Sequence, residues 1–296
     1  MGFMHKPVLL NEVINFLDPQ PGEFIIDGTF GSGGHAQEIL KKLGPDGKLL
    51  GVDWDEQSFS VHAISDSRFS YEVANYSDLS EILKNLLAGR QVKTFKADGL
   101  LLDLGFSSEQ LGSGRGFSFQ KDEPLLMAYN SVTKPAKDVL KDLSEEELAG
   151  VIKNFGEERF FGRIARAIKD QEKIKPIETT GELVQAISRA VPMGYERGRI
   201  HPATRTFQAL RIYVNNELGN LEKVLKHLEE ILNPGGRVVI ISFHSLEDRI
   251  VKNYFRDFKK VGKLKILTKK PITASLEEIA INPRSRSAKL RAAEIL

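Results

Sequence analysis

Cysteine is absent from all 296 residues, so disulfides, thiolate zinc sites and thiol nucleophiles have no part in this protein. Long apolar runs are absent too. Every one falls far short of the ~20 residues a spanning helix requires, and Met1 to Lys6 lead into none, so neither a signal peptide nor a membrane span is expected. A soluble, cytoplasmic protein is the default. Net charge is nearly absent as well: 42 Lys and Arg against 40 Asp and Glu leave +2, which argues neither for nor against a polyanionic partner. No internal repeat or low-complexity tract interrupts the chain.

What is present is an uneven spread of charge over a length that suits two lobes. From Arg249 to the C-terminus there are 13 Lys and Arg against 4 Asp and Glu, and Ala186 to Asn215 holds 5 Arg against 1 Glu, whereas Gln120 to Glu158 is acidic. Strand-like and amphipathic segments alternate in the first hundred residues: strands at Glu23 to Asp27, Lys48 to Asp53 and Leu100 to Leu104, helices at Gly34 to Leu43 and Ser77 to Leu87. That alternation predicts a parallel sheet flanked by helices. Gly105 to Asn130 has no period, and a loop of that size is usually functional. An inserted helical region follows, with capping-box spacing at Ser144/Glu147 and Thr179/Glu182 and a core of Phe155, Ile164, Ile168, Leu183, Ile187 and Val191. The α/β pattern resumes with a long helix from about Ala203 to Leu232, a break at Asn233-Pro234-Gly235-Gly236 and a strand at Arg237 to Ser242. A helix near Glu247 to Asp257, a strand near Lys265 to Thr268 and a final strand or short helix at Ser287 to Ile295 complete it.

Chemistry concentrates in Ile25-Ile26-Asp27-Gly28-Thr29-Phe30-Gly31-Ser32-Gly33-Gly34-His35, a carboxylate and glycine turn directly after an apolar strand, and in Asp53, which ends the next apolar run. Glycine allows positive φ and close approach of a ligand to bare main chain, while the helix opening at Gly34 offers free N–H groups. Gly31 to Ala36 satisfies the dinucleotide pattern G-x-G-x-x-G/A, with an acid about 20 positions on to accept from ribose hydroxyls. A nicotinamide oxidoreductase therefore fits, and such a turn can also be architectural. Two features favour S-adenosylmethionine. Asp27, ahead of the glycines, can meet a cationic methionyl end but would repel a pyrophosphate. The late Pro-Gly-Gly followed by an apolar strand and a polar loop is common in methyltransferase sheets.

Several strings in order extend the match over nearly the whole chain: HKPVLLNE at His5 to Glu12, DGTFGSGGH at Asp27 to His35, DGLLLDLGFSS at Asp98 to Ser108, RGFSF at Arg115 to Phe119, HPATRTFQALRIYVN at His201 to Asn215, ISFHSLEDRIVK at Ile241 to Lys252 and NPRSRSAKLR at Asn282 to Arg291. On these strings the chain closely resembles the bacterial small-subunit ribosomal RNA cytosine-N4 methyltransferases of the MraW or RsmH type. The resemblance implies an α/β, Rossmann-like S-adenosylmethionine-dependent methyltransferase fold with an inserted helical domain, the former at 1–112 and 203–296, the latter, for substrate recognition, at 113–202. It implies methylation of the exocyclic N4 amine of a cytidine in the decoding region of 16S ribosomal RNA, with that RNA or the small subunit as partner and no metal. Cofactor contacts carry over to Gly33, Gly34, His35, Asp53, Tyr76, Asp103 and Gln110. One departure is plain: where the family reads Pro-Leu-Asp-Met-Arg-Met, this chain has Pro124-Leu125-Leu126-Met127-Ala128-Tyr129. A non-catalytic RNA-binding assembly factor that retains the cofactor pocket is the reading this departure keeps open.

For the chemistry, Asp103 at a strand tip is the expected acceptor for the cytosine amine, with Phe106 stacking on the base, because Asp103-Leu104-Gly105-Phe106 resembles the amino-methyltransferase motif in its first and last members. His244, in Ser242-Phe243-His244-Ser245, is a candidate to line the pocket or to satisfy backbone, and Ser245 is the expected cap of the helix that follows. His201, Arg205 and Arg211 near the start of the long helix, Arg115, and Arg284, Arg286, Lys289 and Arg291 are candidate RNA contacts, alternatively solvated surface. Oligomeric state is open.

Overall fold

The computed structural model describes residues 7–55, 64–87, 96–105, 108–195 and 200–296. The chain forms two compact units, Met1–Gly105 with Leu218–Leu296, and Phe106–Glu217.

The first unit is built on a seven-stranded sheet: β1 Phe24–Asp27, β2 Lys48–Asp53, β3 Phe69–Val73, β4 Ala97–Asp103, β5 Leu232–Ser242, β6 Leu264–Ile266 and β7 Lys289–Ile295, in the order β3-β2-β1-β4-β5-β7-β6. The first five are parallel, and β7 runs antiparallel between β5 and β6. The apolar runs are continuous because both faces are covered, which is what burial of a parallel sheet demands. Ile26, Leu100, Leu102, Val238 and Ile240 enter one core, while Ile25, Leu101, Val239 and Ile241 enter the other. The flanking helices are α1 Leu10–Leu17, α2 Gly34–Lys42 and α3 Leu79–Leu87, and, late in the chain, α10 Glu217–Lys226, α11 Leu228–Ile231, α12 Ser245–Lys260 and α13 Leu276–Ile281. The register pairs Asp27 with Gly51 and with Leu101, so β1, β2 and β4 end close together, each in an aspartate. In a parallel sheet the carboxyl ends of the strands are where ligands bind.

The second unit is helical: α4 Ser108–Gly112, α5 Ala136–Asp142, α6 Glu145–Gly156, α7 Phe161–Ile174, α8 Thr180–Ala190 and α9 Thr204–Val214. Its own core contains Leu148, Ile152, Ile164, Ile168, Leu183, Ile187, Phe207 and Leu210. Both expected capping boxes close, at Ser144/Glu147 and Thr179/Glu182, so two backbone donors at each helix start are satisfied reciprocally.

Three expectations change. The helix expected from Ala203 to Leu232 is three helices, because Asn216 adopts a left-handed φ of 48° and the turn re-forms at His227. The first of the three, α9, packs in the helical unit, so the compact units divide at Glu217 whereas the sequence suggested a return to the sheet at residue 203. Asn233 to Gly236 does not end an element before β5. It is a bulge within it: Ala97 pairs with Leu232 and Gly99 with Arg237, leaving the four residues looped out, with Gly235 at φ 82°. The last segment is a strand, β7, and β3 had no clear signal because only Phe69 and Tyr71 of its five residues are partly buried while the other three are exposed.

Candidate active site

Within the first unit the glycine turn is knitted to the three strand tips. Gly28 N–H donates to Leu101 O at 2.9 Å, Phe30 N–H to Val52 O at 3.0 Å, and Gly31 N–H to Asp53 Oδ2 at 2.7 Å. Asp53 Oδ1 accepts from Asp55 N–H at 2.8 Å. The carboxylate that was expected at the ribose fixes the turn. Gly33 needs to be glycine: its φ is 73°, and a Cβ there would lie 2.8 Å from Phe30 Cζ. Tyr76 opens a short 3-10 helix whose start is capped by Asn75, and its Cβ lies beside Gly28.

Two aspartates and a histidine meet at this end of the sheet. Asp27 is buried, and its Oδ1 accepts from Thr29 N–H at 3.3 Å. Burial, opposed by that hydrogen bond and reinforced by Asp53, raises its carboxyl to about 7. Asp103 has one oxygen, Oδ2, 3.8 Å from His35 Nδ1, while Oδ1 is buried with no hydrogen-bond partner. Burial, then the charges of Asp27 and Glu247, hold its carboxyl well above the usual range. His35 Nε2 lies 3.0 Å from Val8 O, which fixes the ring. Thr29 was not singled out from sequence, yet its hydroxyl accepts from Asp103 N–H at 2.6 Å and joins the turn to the β4 tip. Several carboxyls, one with an orphaned buried oxygen, form a pocket chemistry that favours a cation, since leaving such an oxygen unpaired costs roughly 1–3 kcal/mol. The sulfonium and ammonium of S-adenosylmethionine fit that requirement, with the glycine turn and Asp53 offering donors and acceptors to the rest of the molecule.

His244 has a structural task. Its Nδ1 accepts from Glu247 N–H at 3.4 Å, and Glu247 Oε2 accepts from Phe243 N–H at 2.8 Å and His244 N–H at 3.3 Å, which makes a capping box at the start of α12. His244 Nε2 lies 3.2 Å from Glu247 Oε1 without hydrogen-bond geometry. The cap was expected at Ser245; the register is one residue earlier because an imidazole nitrogen accepts as a carboxylate oxygen would. Phe106 lies outside the described residues, as does His5 of the first string.

The basic candidates separate by burial. Arg291 is 8% exposed and its Nε donates to Asp248 Oδ1 at 2.7 Å, with Lys289 Nζ 3.7 Å from the same carboxylate. Both cations, on β7, are thus engaged by one carboxylate of α12. Arg284 and Arg286, on the 3-10 turn just before, are exposed. In the second unit Arg211 is 9% exposed and holds Glu217 through Nε at 2.8 Å and Nη2 at 3.0 Å. It too is a buried ion pair. Arg205 Nη1 donates to Glu157 O at 3.1 Å, and His201 stacks on Phe119 with 4.7 Å between ring centroids while its Nδ1 accepts from Ala203 N–H. Arg115 ties its own loop, donating to Ser113 Oγ and Tyr129 O. Gln110 is buried in α4 of this unit. The departing stretch at residues 124–129 is packed: Leu125, Met127 and Ala128 are buried, and the Tyr129 hydroxyl donates to Glu217 Oε1 at 2.9 Å.

Among the described residues no helix is long and apolar enough to cross a membrane. Comparison with known proteins identifies the family. The chain is 47% identical over 317 residues to the ribosomal RNA small subunit methyltransferase H of Geobacter sulfurreducens, covering 100% of both chains. It is 48% identical over 301 residues to the protein of the same name from Thermotoga neapolitana, covering 99% of this chain and 96% of that one. A solved structure described as a putative rRNA-methylase from Clostridium thermocellum aligns with a TM-score of 0.46 at 10% identity, covering 99% of this chain and 100% of that one, a likeness too loose to bear on activity. The model of the MraW methylase family matches residues 2–296, and the chain belongs to that family.

Proposed function

We propose that this protein transfers a methyl group from S-adenosylmethionine to the exocyclic N4 amine of a cytidine in the decoding region of 16S ribosomal RNA. The observation that carries the reading is Asp103, at the tip of β4, with a buried oxygen lacking a partner beside Asp27 and the glycine turn. The donor supplies an electrophilic methyl on a positively charged sulfur. Holding that charge beside Asp27 and Asp103 favours their ionised forms, which burial alone disfavours. The amine's lone pair is delocalised into the cytosine ring. Asp103, as carboxylate, accepts a hydrogen bond from the amine, raises its electron density, and takes the proton released as the new N–C bond forms and the S–C bond breaks. Alignment supplies much of the rate, up to ~7 to 11 kcal/mol where two reactants are held at attack geometry. Thr29, by fixing the Asp103 backbone, contributes to that alignment. The names of the relatives support small-subunit RNA as substrate. The target base leaves its stack to reach the site, so single-stranded or flipped RNA is the form bound. The helical unit takes the role of substrate recognition.

The test is mass-spectrometric mapping of the methylated nucleotide after incubating small subunits, or free RNA, with the protein and labelled S-adenosylmethionine. N4-methylcytidine at one position is expected from the wild type, with Asp103→Ala losing at least about a hundredfold in rate. A label on another atom or base would overturn the N4 assignment. Donor binding without product from the wild type would favour an assembly factor.

A further inference from the structure

We propose that the surface where α6 ends and α7 begins, built from Lys153, Arg159, Arg163, Phe160 and Tyr195, binds the phosphate backbone of single-stranded RNA. The inference rests on the RNA-directed function proposed above and adds a surface to it. Arg159 is exposed, and its guanidinium lies 4.7 Å from the centroids of both the Phe160 and the Tyr195 rings. Those rings meet edge to face at 4.9 Å. They are themselves held by Glu158, a 1% exposed carboxylate that accepts from the Tyr195 hydroxyl at 2.9 Å on each oxygen and from Phe160 N–H at 2.8 Å. A buried acid therefore fixes a tyrosine, and the two rings fix an arginine with its N–H edge available.

Arg163 lies 5.7 Å from the Phe160 ring and Lys153 5.3 Å from the Phe161 ring, both exposed. Among the described residues none of the three cations forms an ion pair, whereas Arg166 on the next turn of α7 pairs with Glu145 and Lys173 with Asp170. Arg163 also sits in the first turn of α7, where the helix dipole disfavours a cation, so helix stability does not account for it. Cations kept free of acids and held on aromatic faces suit an extended polyanion with unstacked bases, since phosphates take the N–H edges and bases stack on guanidinium or ring faces. Arg205, bonded to Glu157 O at the end of α6, borders the same surface.

The test measures binding of the full-length protein to a fluorescent oligoribonucleotide carrying the decoding-region cytidine, by anisotropy over a range of salt concentrations. The double variant Arg159→Gln with Arg163→Gln is expected to flatten the slope of log affinity against log salt by about 1.4, at about 0.7 per single-strand phosphate contact, and to weaken binding roughly tenfold at low salt. Arg166→Gln with Lys173→Gln removes the same charge from the same helix and is expected to leave the slope as in the wild type. Melting temperature and S-adenosylmethionine affinity, measured on both variants, report folding. An unchanged slope in the first variant, or equal flattening in both, overturns the surface while leaving the methyltransferase reading intact. A wild type that neither binds nor methylates the RNA overturns both.

Discussion

Asp27 shows how one residue sets conditions for the whole site. Its carboxyl is raised from 3.8 to about 7 by burial and by Asp53, so folding of the ligand-free protein takes up a proton between those values. A raised acid contributes stability that is complete below its unfolded value and is lost as pH rises through its folded one. Asp27→Asn should therefore raise the melting temperature of the free protein at pH 8 and change it little at pH 4, as thermal scans at the two pH values would reveal. The same substitution should weaken S-adenosylmethionine by roughly 2 kcal/mol or more, about thirtyfold, because the ligand's charge loses its partner. In the wild type, binding S-adenosylmethionine near neutral pH should release protons. Calorimetry in two buffers of different ionisation enthalpy measures that release; its absence would contradict the electrostatic account.

The basic candidates divide into those held in buried ion pairs and those at exposed positions. Arg291 and Arg211 lie against carboxylates with little exposure on either partner, so replacing either by Ala leaves a buried charge behind. A loss of about 3 kcal/mol is expected for each, measured by denaturant unfolding. Arg286→Ala, at an exposed position, should change stability by less than about 0.5 kcal/mol and act, if at all, on RNA affinity.

At the scale of elements, the caps carry the clearest expectations. Ser144→Ala and Thr179→Ala each remove the acceptor of a closed capping box, and about 1 kcal/mol is expected from either in urea unfolding. His244→Ala removes the cap of α12 in the same way, but it also frees Glu247, whose charge bears on Asp103. Lower stability together with a shifted pH profile of methylation is the expected pair of results. A change in rate with neither would instead make His244 a pocket residue. Both capping boxes on the helical unit were legible because their residues lie three apart in sequence. The third was displaced by one position because histidine rarely announces itself as a cap. The break of the long helix into three was not legible: the apolar period runs on across Asn215-Asn216, and only the left-handed φ at Asn216 ends the first piece.

For the whole molecule, two units with separate cores mean that a ligand of the sheet unit stabilises that unit first. At a hundredfold excess over its dissociation constant, S-adenosylmethionine should add about 2.7 kcal/mol. Hydrogen exchange should show the gain at 24–53 and 97–105, while amides in the core of α6 and α8 keep their free-protein rates; uniform protection would mean the two units unfold together. The parallel sheet, its strand tips and the glycine turn were readable from the chain, because continuous apolar runs report burial on both faces and a glycine turn after a strand is local in sequence. Asp27, Gly33 and Asp53 all lie within one such local pattern. The fate of the basic residues was not readable. Asp248 stands 43 residues from Arg291, Phe160 and Tyr195 meet only through the packing of the helical unit, and a charge in sequence looks the same whether it ends against an acid or against water. By itself the sequence determined the cofactor class and the sheet, through patterns that neighbours in the chain complete. Tertiary structure alone decided which cations are consumed by ion pairs and which stay exposed, because that depends on partners brought together only when the chain folds.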